Sequence, residues 1–402
     1  MTEPALPALR ALPAGVWRLG WVSFFTDLAT EMIYPLLPGF ILRLRGGTPF
    51  VVGLIEGIAE AVNSIFKVLS GRHSDRTGAR KPLMALGYTV SSLMRPLIAI
   101  AAVWWHVLAL RFVDRFGKGV RGAPRDAMLA ALAPPGRKGA VFGFHRAMDH
   151  AGAIAGPLIA TAYLAARPED YRGLFALTII PGLIVIALVW TTKEPATPAE
   201  PALPALPAIP APPAWTSLPS PTRRFLFVLL LFSLGNSTDA FLLIKLEASG
   251  VPVVWLPMTW AGLHVVKSAS SAVGGPLADR IGYRAPIIAG WILYAAIYAG
   301  LAFASSTAAV VALFLAYGVF FGLTEGPEKA LIADLSPNEL RGTAFGFYNA
   351  SLGLGMLAAS VLFGALWVSV SPAAAFLTGA GIALAAAALL PWATRPGAMI
   401  KG

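Results

Sequence analysis

Cysteine is absent from this sequence, and charged residues are scarce. Without thiols the chain can form neither a disulfide nor a thiolate metal site. Only 13% of its 402 residues are charged, with 20 acidic residues against 31 Lys and Arg. A typical soluble domain carries about 25% charged residues. The scarcity of charge therefore argues against a soluble globular protein.

Apolar residues are abundant instead, at 57% of the sequence, with a mean hydropathy of +0.70. Apolar runs of about 20 residues recur along the whole length, which indicates membrane-spanning helices. We predict an all-α membrane protein with twelve transmembrane helices. The predicted spans are 17–42, 51–71, 82–102, 104–133, 139–166, 173–192, 224–246, 252–274, 286–306, 308–335, 342–368 and 371–392.

The chain divides into two halves that resemble each other. Residues 193–222 are rich in Pro and Ala and predict an extended cytoplasmic linker between six-helix bundles at 1–192 and 223–402. The stretch "GRHSDRTGARKP" from Gly71 returns as "GPLADRIGYRAP" from Gly275. The stretch "LAPPGRKGAVFGF" from Leu132 returns as "LSPNELRGTAFGF" from Leu335. The offsets of 204 and 203 residues predict two pseudo-symmetric bundles, an arrangement common among secondary transporters.

Basic residues are distributed unevenly between the predicted loops. With the N-terminus inside, the inside loops and tails hold sixteen Lys and Arg, whereas the outside loops hold only Arg43, Arg45, Arg167 and Arg172. The positive-inside rule therefore predicts that both termini are cytoplasmic in an inner or plasma membrane. Much of the net charge of +11 reflects this topology, so no nucleic-acid partner is expected.

The repeated loops share one motif of glycines, Asp-Arg and arginine. Its residues are Gly71, Asp75, Arg76, Gly78 and Arg80, and then Gly275, Asp279, Arg280, Gly282 and Arg284. The motif resembles the loop 2–3 signature of the major facilitator superfamily. The resemblance implies alternating access between two bundles, a gating role for these residues, and no ATP site or cofactor. A pair between Asp75 and Arg125 would belong to the same gate.

Two further stretches resemble motifs of that family. "RFGKGVRGA", from Arg115, partly matches its fourth-span motif. "GAIAGP" matches the core of a fifth-span motif associated with drug–proton antiporters, and it supplies Gly152, Gly156 and Pro157. Small residues at this spacing also serve to pack membrane helices closely.

Span 4 carries an unexpected row of ions. On a helix, the seven charges between Arg111 and Asp126 fall within an arc of about 140°. Charge facing lipid is costly, so this face must meet protein or a wet cavity. Internal ion pairs such as Asp114–Lys118 would explain it structurally, which we favour for Arg121, Arg125 and Asp126. For the deeper Arg111, Arg115 and Lys118, lining a cavity is the favoured interpretation.

Other spans offer polar groups for the same cavity. The predicted substrate-cavity residues are Asp27, Glu31, Glu60, Asn63, Arg95, Arg111, Arg115, Lys118, Asp239 and Lys267. Carboxylates in wet membrane cavities can exchange protons. The candidate proton-coupling residues are Asp27, Glu31, Glu60 and Asp149, and about half of them are expected to be simple counter-ions. No metal site is expected.

These features predict a monomeric secondary transporter, embedded in the lipid bilayer, that moves a small organic solute by proton-coupled efflux. Uptake of an anionic or zwitterionic nutrient or siderophore by proton symport is the alternative. A membrane-embedded enzyme would need a nucleophile–base or metal constellation, which we do not find. A channel would not need a duplicated bundle with gating loops, and a receptor would be expected to carry a large soluble segment.

Overall fold

A computed structural model describes residues 12–395 apart from 79, 135–136, 193–214 and 338–339, and apart from the side chains of residues 75, 76, 138 and 139. The described residues contain no β-strand, only one isolated bridge between Arg45 and Val103. The helices are α1 (Ala14–Ile33), α2 (Leu37–Arg43), α3 (Pro49–Thr77), α4 (Arg80–Leu97), α5 (Trp104–Leu132), α6 (Lys138–Ala166), α7 (Tyr171–Leu177), α8 (Ile179–Thr191), α9 (Ser220–Gly235), α10 (Ala240–Ala248), α11 (Leu256–Ile281), α12 (Arg284–Phe303), α13 (Thr307–Asp334), α14 (Arg341–Ser369) and α15 (Pro372–Ala393).

Three predicted spans consist of two helices each, and the twelve-span prediction is confirmed. In the first span, a 3-10 turn over Tyr34–Leu36 separates α1 from α2, because Pro35 cannot donate to the helical ladder. Helices α7 and α8 meet at Thr178, and α9 ends at Gly235 before α10 begins at Ala240. The remaining nine spans each contain one main helix.

Among the described residues, eight helical segments are long and apolar enough to cross a membrane by length and composition alone. The other four spans are those of α1–α2, α5, α6 and α11. Each of these four spans carries charged residues that sequence analysis singled out as site candidates: Asp27 and Glu31 on α1, Arg111, Arg115 and Lys118 on α5, Asp149 on α6, and Lys267 on α11.

Side-chain caps fix the beginnings of several helices. Thr48 accepts from the backbone N–H of Val51 at 3.2 Å and begins α3. Asp170 accepts from Gly173 N–H at 2.8 Å and begins α7. Ser306 and Ser371 cap α13 and α15 in the same way. Each cap satisfies a backbone donor that the helix itself leaves without a partner.

By contacts between its residues, the chain divides into two compact units. The first comprises Met1–Ala196 with Leu243–His264, and the second comprises Thr197–Leu242 with Val265–Gly402. Of the predicted linker at 193–222, residues 193–214 lie outside the described residues. The bundle boundaries at 1–192 and 223–402 stay a prediction.

Each unit has its own core. In the first, apolar side chains of α1, α4, α5, α6 and α8 form one cluster, with Leu19, Met84 and Val185 fully buried. The second unit has an aromatic core. Phe232 stacks on Trp291 with ring centroids 4.6 Å apart, and Tyr294 stacks on Tyr298 at 4.1 Å. Stacked aromatic rings thus form much of the core of the second unit.

Candidate functional site

A group of buried ions connects α3, α4 and α5 in the first unit. Arg111 on α5 donates to Glu56 on α3, with Nη2–Oε2 and Nε–Oε1 distances of 2.6 and 3.0 Å. Arg95 on α4 lies 3.3 Å from Asp114, and Arg115 lies 4.0 Å from the same carboxylate. All five residues are at most 7% exposed. Three arginines and two carboxylates leave this ion group with a net charge of +1.

The ion group replaces one pairing that the sequence suggested. Asp114 lies among Arg95, Arg111 and Arg115 rather than pairing with Lys118, so that suggestion is wrong. The suggested partner of Arg125, Asp75, has a side chain outside the described residues. The prediction that Arg95, Arg111 and Arg115 line a substrate cavity stays a prediction, and the structure gives each of them a carboxylate partner.

Further along α5, the cationic face lines a cavity of about 200 Å³ inside the first unit. Residues from α1, α3, α4, α5 and α6 form its walls. They are Ser23, Thr26, Asp27, Asn63, Lys67, Tyr88, Lys118, Arg121, Gly122, Arg125, Arg146 and Asp149. The cavity thus contains Asp27, Asn63, Lys118 and Asp149 from the predicted set, and also Arg121, for which a structural pairing was favoured.

Two of the five basic residues in the cavity wall are ion-paired. Arg125 lies 2.8 Å from Asp126, and Arg146 lies 3.8 Å from Asp149. Within the described part of the chain, Lys67, Lys118 and Arg121 have no carboxylate within ion-pair distance, although Asp27 and Glu60 lie within electrostatic range of Lys118. The lining therefore keeps an excess of positive charge.

Arg121 is the most deeply buried of these cations. It is 5% exposed, and its guanidinium lies over the ring of Tyr88, 4.3 Å from the centroid. Its Nη1 has no hydrogen-bond acceptor among the described residues. A buried donor without an acceptor is costly. Arg121 thus lines the cavity and also holds a buried donor that has no acceptor.

The two carboxylates of the cavity differ in their surroundings. Asp149 accepts a hydrogen bond from the hydroxyl of Ser23 and lies 3.5 Å from Nδ1 of His145. Asp27 lines the same cavity, and its carboxylate is close enough to Lys118 and Arg121 to interact with their charges. Both therefore lie beside cations that a bound solute would also meet.

The other candidates of the first unit lie outside this lining. Glu31 accepts from Nε1 of Trp260 at 2.7 Å and lies 3.8 Å from His264. Glu60 accepts from the amide of Asn63 at 3.0 Å. Their predicted roles in solute and proton binding stay predictions, as do those of all the site residues.

The second-unit candidates have local partners. Asp239 accepts from the hydroxyl of Tyr317 at 2.8 Å. The ammonium of Lys267 lies 3.8 Å from the ring centroid of Phe321, a cation–π contact. Neither residue belongs to the cavity of the first unit.

Glu328 on α13 is a buried carboxyl to which sequence analysis assigned no role. It is 5% exposed, and it accepts from Nε1 of Trp291 at 3.1 Å and from the hydroxyl of Tyr348 at 3.2 Å. Both donors are neutral, and the described residues place no cation within ion-pair distance of it; the adjacent Lys329 pairs with Glu325. The sequence repeat could have drawn attention to Glu328, because it lies 203 positions after Arg125 and therefore corresponds to that residue in the second half.

The duplicated loop motif places glycine at a helix end in both halves. Gly78 follows α3 with φ +68°, and Gly282 follows α11 with φ +85°. Only glycine adopts such angles without strain, so these two positions end their helices. Arg284 donates to the carbonyl of Thr394, and Asp279 and Arg280 are exposed. Gly71 and Gly275 lie within α3 and α11, Arg80 begins α4, and the side chains of Asp75 and Arg76 lie outside the described residues.

The glycines of the fifth-span motif lie where α6 crosses α1. A Cβ at Gly152 would overlap the carbonyl oxygen of Phe24, and one at Gly156 would overlap that of Leu28. Pro157 follows inside the same helix. Backbones this close leave no room for a side chain, so the two glycines permit the contact between these helices.

One close contact recurs in both units with the spacing of the sequence repeat. A Cβ at Gly87 would lie 2.8 Å from Cβ of Arg121, and one at Gly290 would lie 2.5 Å from Cγ2 of Thr324. Both partners are displaced by 203 residues, as is the Leu132 motif. The second half thus keeps the close approach of two helices but has Thr324 at the position that corresponds to Arg121.

Comparison with known proteins agrees with these features. An uncharacterised MFS-type transporter of Methanocaldococcus jannaschii is 30% identical over 387 residues, which are 95% of each chain. The multidrug resistance protein MdtH of Photorhabdus laumondii is 26% identical over 181 residues, 45% of this chain and 44% of that protein. A POT family transporter, solved with a thioalcohol-conjugated peptide, superposes with a TM-score of 0.78 at 12% identity and covers 95% of this chain and 97% of that chain.

The family profile described as Major Facilitator Superfamily matches residues 19–266 and 256–401, which together span most of the sequence. The similar structures share the helical fold of this chain. The protein is thus an integral membrane transporter of small solutes and not an enzyme, and the chain belongs to the Major Facilitator Superfamily.

Proposed function

We propose that this protein couples proton movement to the transport of a small organic solute by alternating access. The cavity of the first unit is the observation that carries the proposal, because it places Asp27 and Asp149 among five basic residues. Ionisable groups inside a membrane protein mark ion and solute pathways. Proton binding to the two carboxylates would then change the affinity of the cavity for a charged solute, because both bind to the same set of side chains.

The sign of that linkage follows from the charges. With both carboxylates ionised, five bases and two acids give the lining a net charge of +3; with both protonated, the charge is +5. An anionic solute binds better to the protonated form, so proton and anion bind together. The geometry therefore favours symport of an anionic solute, the alternative that the sequence left open.

Efflux in exchange for protons is the second candidate. The fifth-span motif and the similarity to a multidrug resistance protein support it, although that similarity covers less than half of the chain. Exchange would suit a cationic solute, because it would compete with protons for Asp27 and Asp149. The charge of the transported solute thus decides between the two candidates.

Proteoliposomes with a trapped pH indicator test the proposal. Anionic, zwitterionic and cationic metabolites are added in turn, with a pH gradient of either sign. Symport acidifies the lumen as the solute enters, whereas exchange makes it alkaline. Solute flux that neither changes the internal pH nor responds to the gradient would refute proton coupling.

A further inference from the structure

We propose that the cavity of the first unit binds a compact, doubly charged oxyanion, such as a phosphoryl or phosphonate head group. The inference deepens the proposed function and rests on it for the statement that the bound molecule is transported. The binding site itself depends on three cations of the lining, Lys67, Lys118 and Arg121, and on the uncompensated charge that they leave.

The charge count sets the charge of the ligand. Arg125 and Arg146 each have a carboxylate partner within 4.0 Å, at Asp126 and Asp149. With Asp27 and Asp149 both ionised, three basic residues then remain in the lining against one acid, Asp27, which gives an excess of two positive charges. Just beyond the lining, the negative charge of Glu60 offsets the single net positive charge of the buried ion group. A ligand with two negative charges neutralises the site, and one with a single charge does not.

Arg121 sets the chemistry of the ligand. Its buried Nη1 lacks an acceptor, and the stacking on Tyr88 fixes the plane of the guanidinium. A planar fork of donors matches the paired oxygens of phosphate and carboxylate groups. Lys118 lies three residues earlier on the same helix and adds a point charge on the same side.

The cavity volume sets the size of the ligand. At about 200 Å³ it lies below the range of about 300–1,000 Å³ that encloses drug-sized molecules. It therefore encloses a head group or a small metabolite. A soluble phosphorylated solute and an anionic phospholipid carry the same head group, so the experiment separates these two sources.

Thermal unfolding of the purified full-length protein provides the test. The probes are methylphosphonate as the dianion, methanesulfonate as a singly charged analogue of the same shape, and tetramethylammonium as a cation. Phosphatidic acid in mixed micelles, compared with phosphatidylcholine, reports on a lipid source. Binding to the folded state raises the unfolding midpoint in a saturable manner.

We expect methylphosphonate, phosphatidic acid or both to raise the midpoint, and methanesulfonate and tetramethylammonium to have little effect. Arg121→Gln and Lys118→Gln should each weaken binding about tenfold or more, because each removes a charge-assisted contact. Lys329→Gln removes one positive charge from an exposed pair of the second unit and should leave binding unchanged. If Arg121→Gln fails to fold, Lys118→Gln carries the test alone.

Three results would overturn the inference: no shift with either phosphorus probe, an equal shift with methanesulfonate, or unchanged binding in the folded variants. Binding without any gradient-driven flux would refute the proposed function and leave the site intact. Gradient-driven flux of an organic cation without anion binding would refute only this site.

Discussion

Single residues of this protein matter most where a charge is buried. The two units treat such charges differently. In the first, Glu56 receives a bidentate arginine, and in the second, Glu328 receives only neutral donors from Trp291 and Tyr348. A buried ion pair is stable while both partners are present, whereas a carboxyl without a cation is a candidate for proton binding.

Glu328→Gln tests whether the second unit takes part in proton coupling. The amide keeps one acceptor oxygen for Trp291 and turns an N–H towards the hydroxyl oxygen of Tyr348, but it cannot exchange a proton. If Glu328 is a coupling residue, accumulation driven by a pH gradient should be lost while solute exchange at equal pH persists. Asp27→Asn provides the parallel variant for the first-unit cavity. Normal gradient-driven accumulation in one variant would remove that residue from the coupling mechanism.

Glu56→Gln tests the buried ion group. The change leaves the guanidinium of Arg111 without its bidentate partner, and breaking a buried ion pair costs about 3–5 kcal/mol. The matched control is Glu247→Gln, because Glu247 pairs with Arg43, whose side chain is 47% exposed. An exposed pair contributes about 0–1 kcal/mol. Similar losses of unfolding free energy in both variants would contradict the distinction.

Asp170 provides a pH-dependent test outside the membrane spans. Hydrogen bonds from Tyr163 and from the backbone N–H of Gly173 lower the pKa of the Asp170 carboxyl. Its contribution is therefore present above the pKa of the unfolded chain and is lost as the pH falls through the lower, folded value. Asp170→Asn should keep the cap without that acid-dependent loss, and Asp170→Ala should lower the unfolding midpoint at neutral pH. Equal midpoints for Asn and Ala would contradict a capping role.

At the scale of helices, small residues decide which elements approach closely. Gly152 and Gly156 bring α6 against the backbone of α1, and Gly87 brings α4 against α5. Lipid provides little hydrophobic drive for such contacts, so close van der Waals packing must supply the stability. The same contacts hold Asp27 and Asp149 on adjoining walls of one cavity.

Gly152→Ala should destabilise the protein, because the new methyl group meets the carbonyl oxygen of Phe24. Overpacking of this kind costs about 1–3 kcal/mol. Gly143→Ala is the control on the same helix, since a Cβ there meets nothing within 4 Å. It should be neutral or slightly stabilising by helix propensity. Equal unfolding midpoints for the two variants would show that the α1–α6 contact tolerates a side chain.

At the scale of the whole molecule, orientation in the membrane is the property that awaits a direct test. The chain contains no cysteine, so single introduced cysteines can be labelled without background. With both termini cytoplasmic, Thr77→Cys should react only from inside and Ser305→Cys only from outside; both positions are exposed. An impermeant maleimide applied to intact cells and to inverted vesicles distinguishes the sides. Labelling in the opposite sense would invert the topology.

The amino-acid sequence by itself determined the number and order of the spans, because apolar runs, proline and glycine act through local chemistry. It also determined the repeat, whose spacing of 203 residues reappears in the contacts of Gly87 and Gly290. It predicted that the charges of α5 share one face, because that follows from helical periodicity alone.

Only the tertiary structure decided which of those charges are neutralised. Arg111 pairs with a carboxylate of α3, and Arg115 lies beside a carboxylate of α5. Lys118 and Arg121 instead line a cavity. Residues 55 positions apart, such as Glu56 and Arg111, become partners through helix packing, and no sequence period encodes that distance. Glu328 acquired its neutral donors in the same way, from two other helices. Charge pairing is a long-range property of packing, and for that reason the polar face was predictable from sequence but its division into ion pairs and binding groups was not.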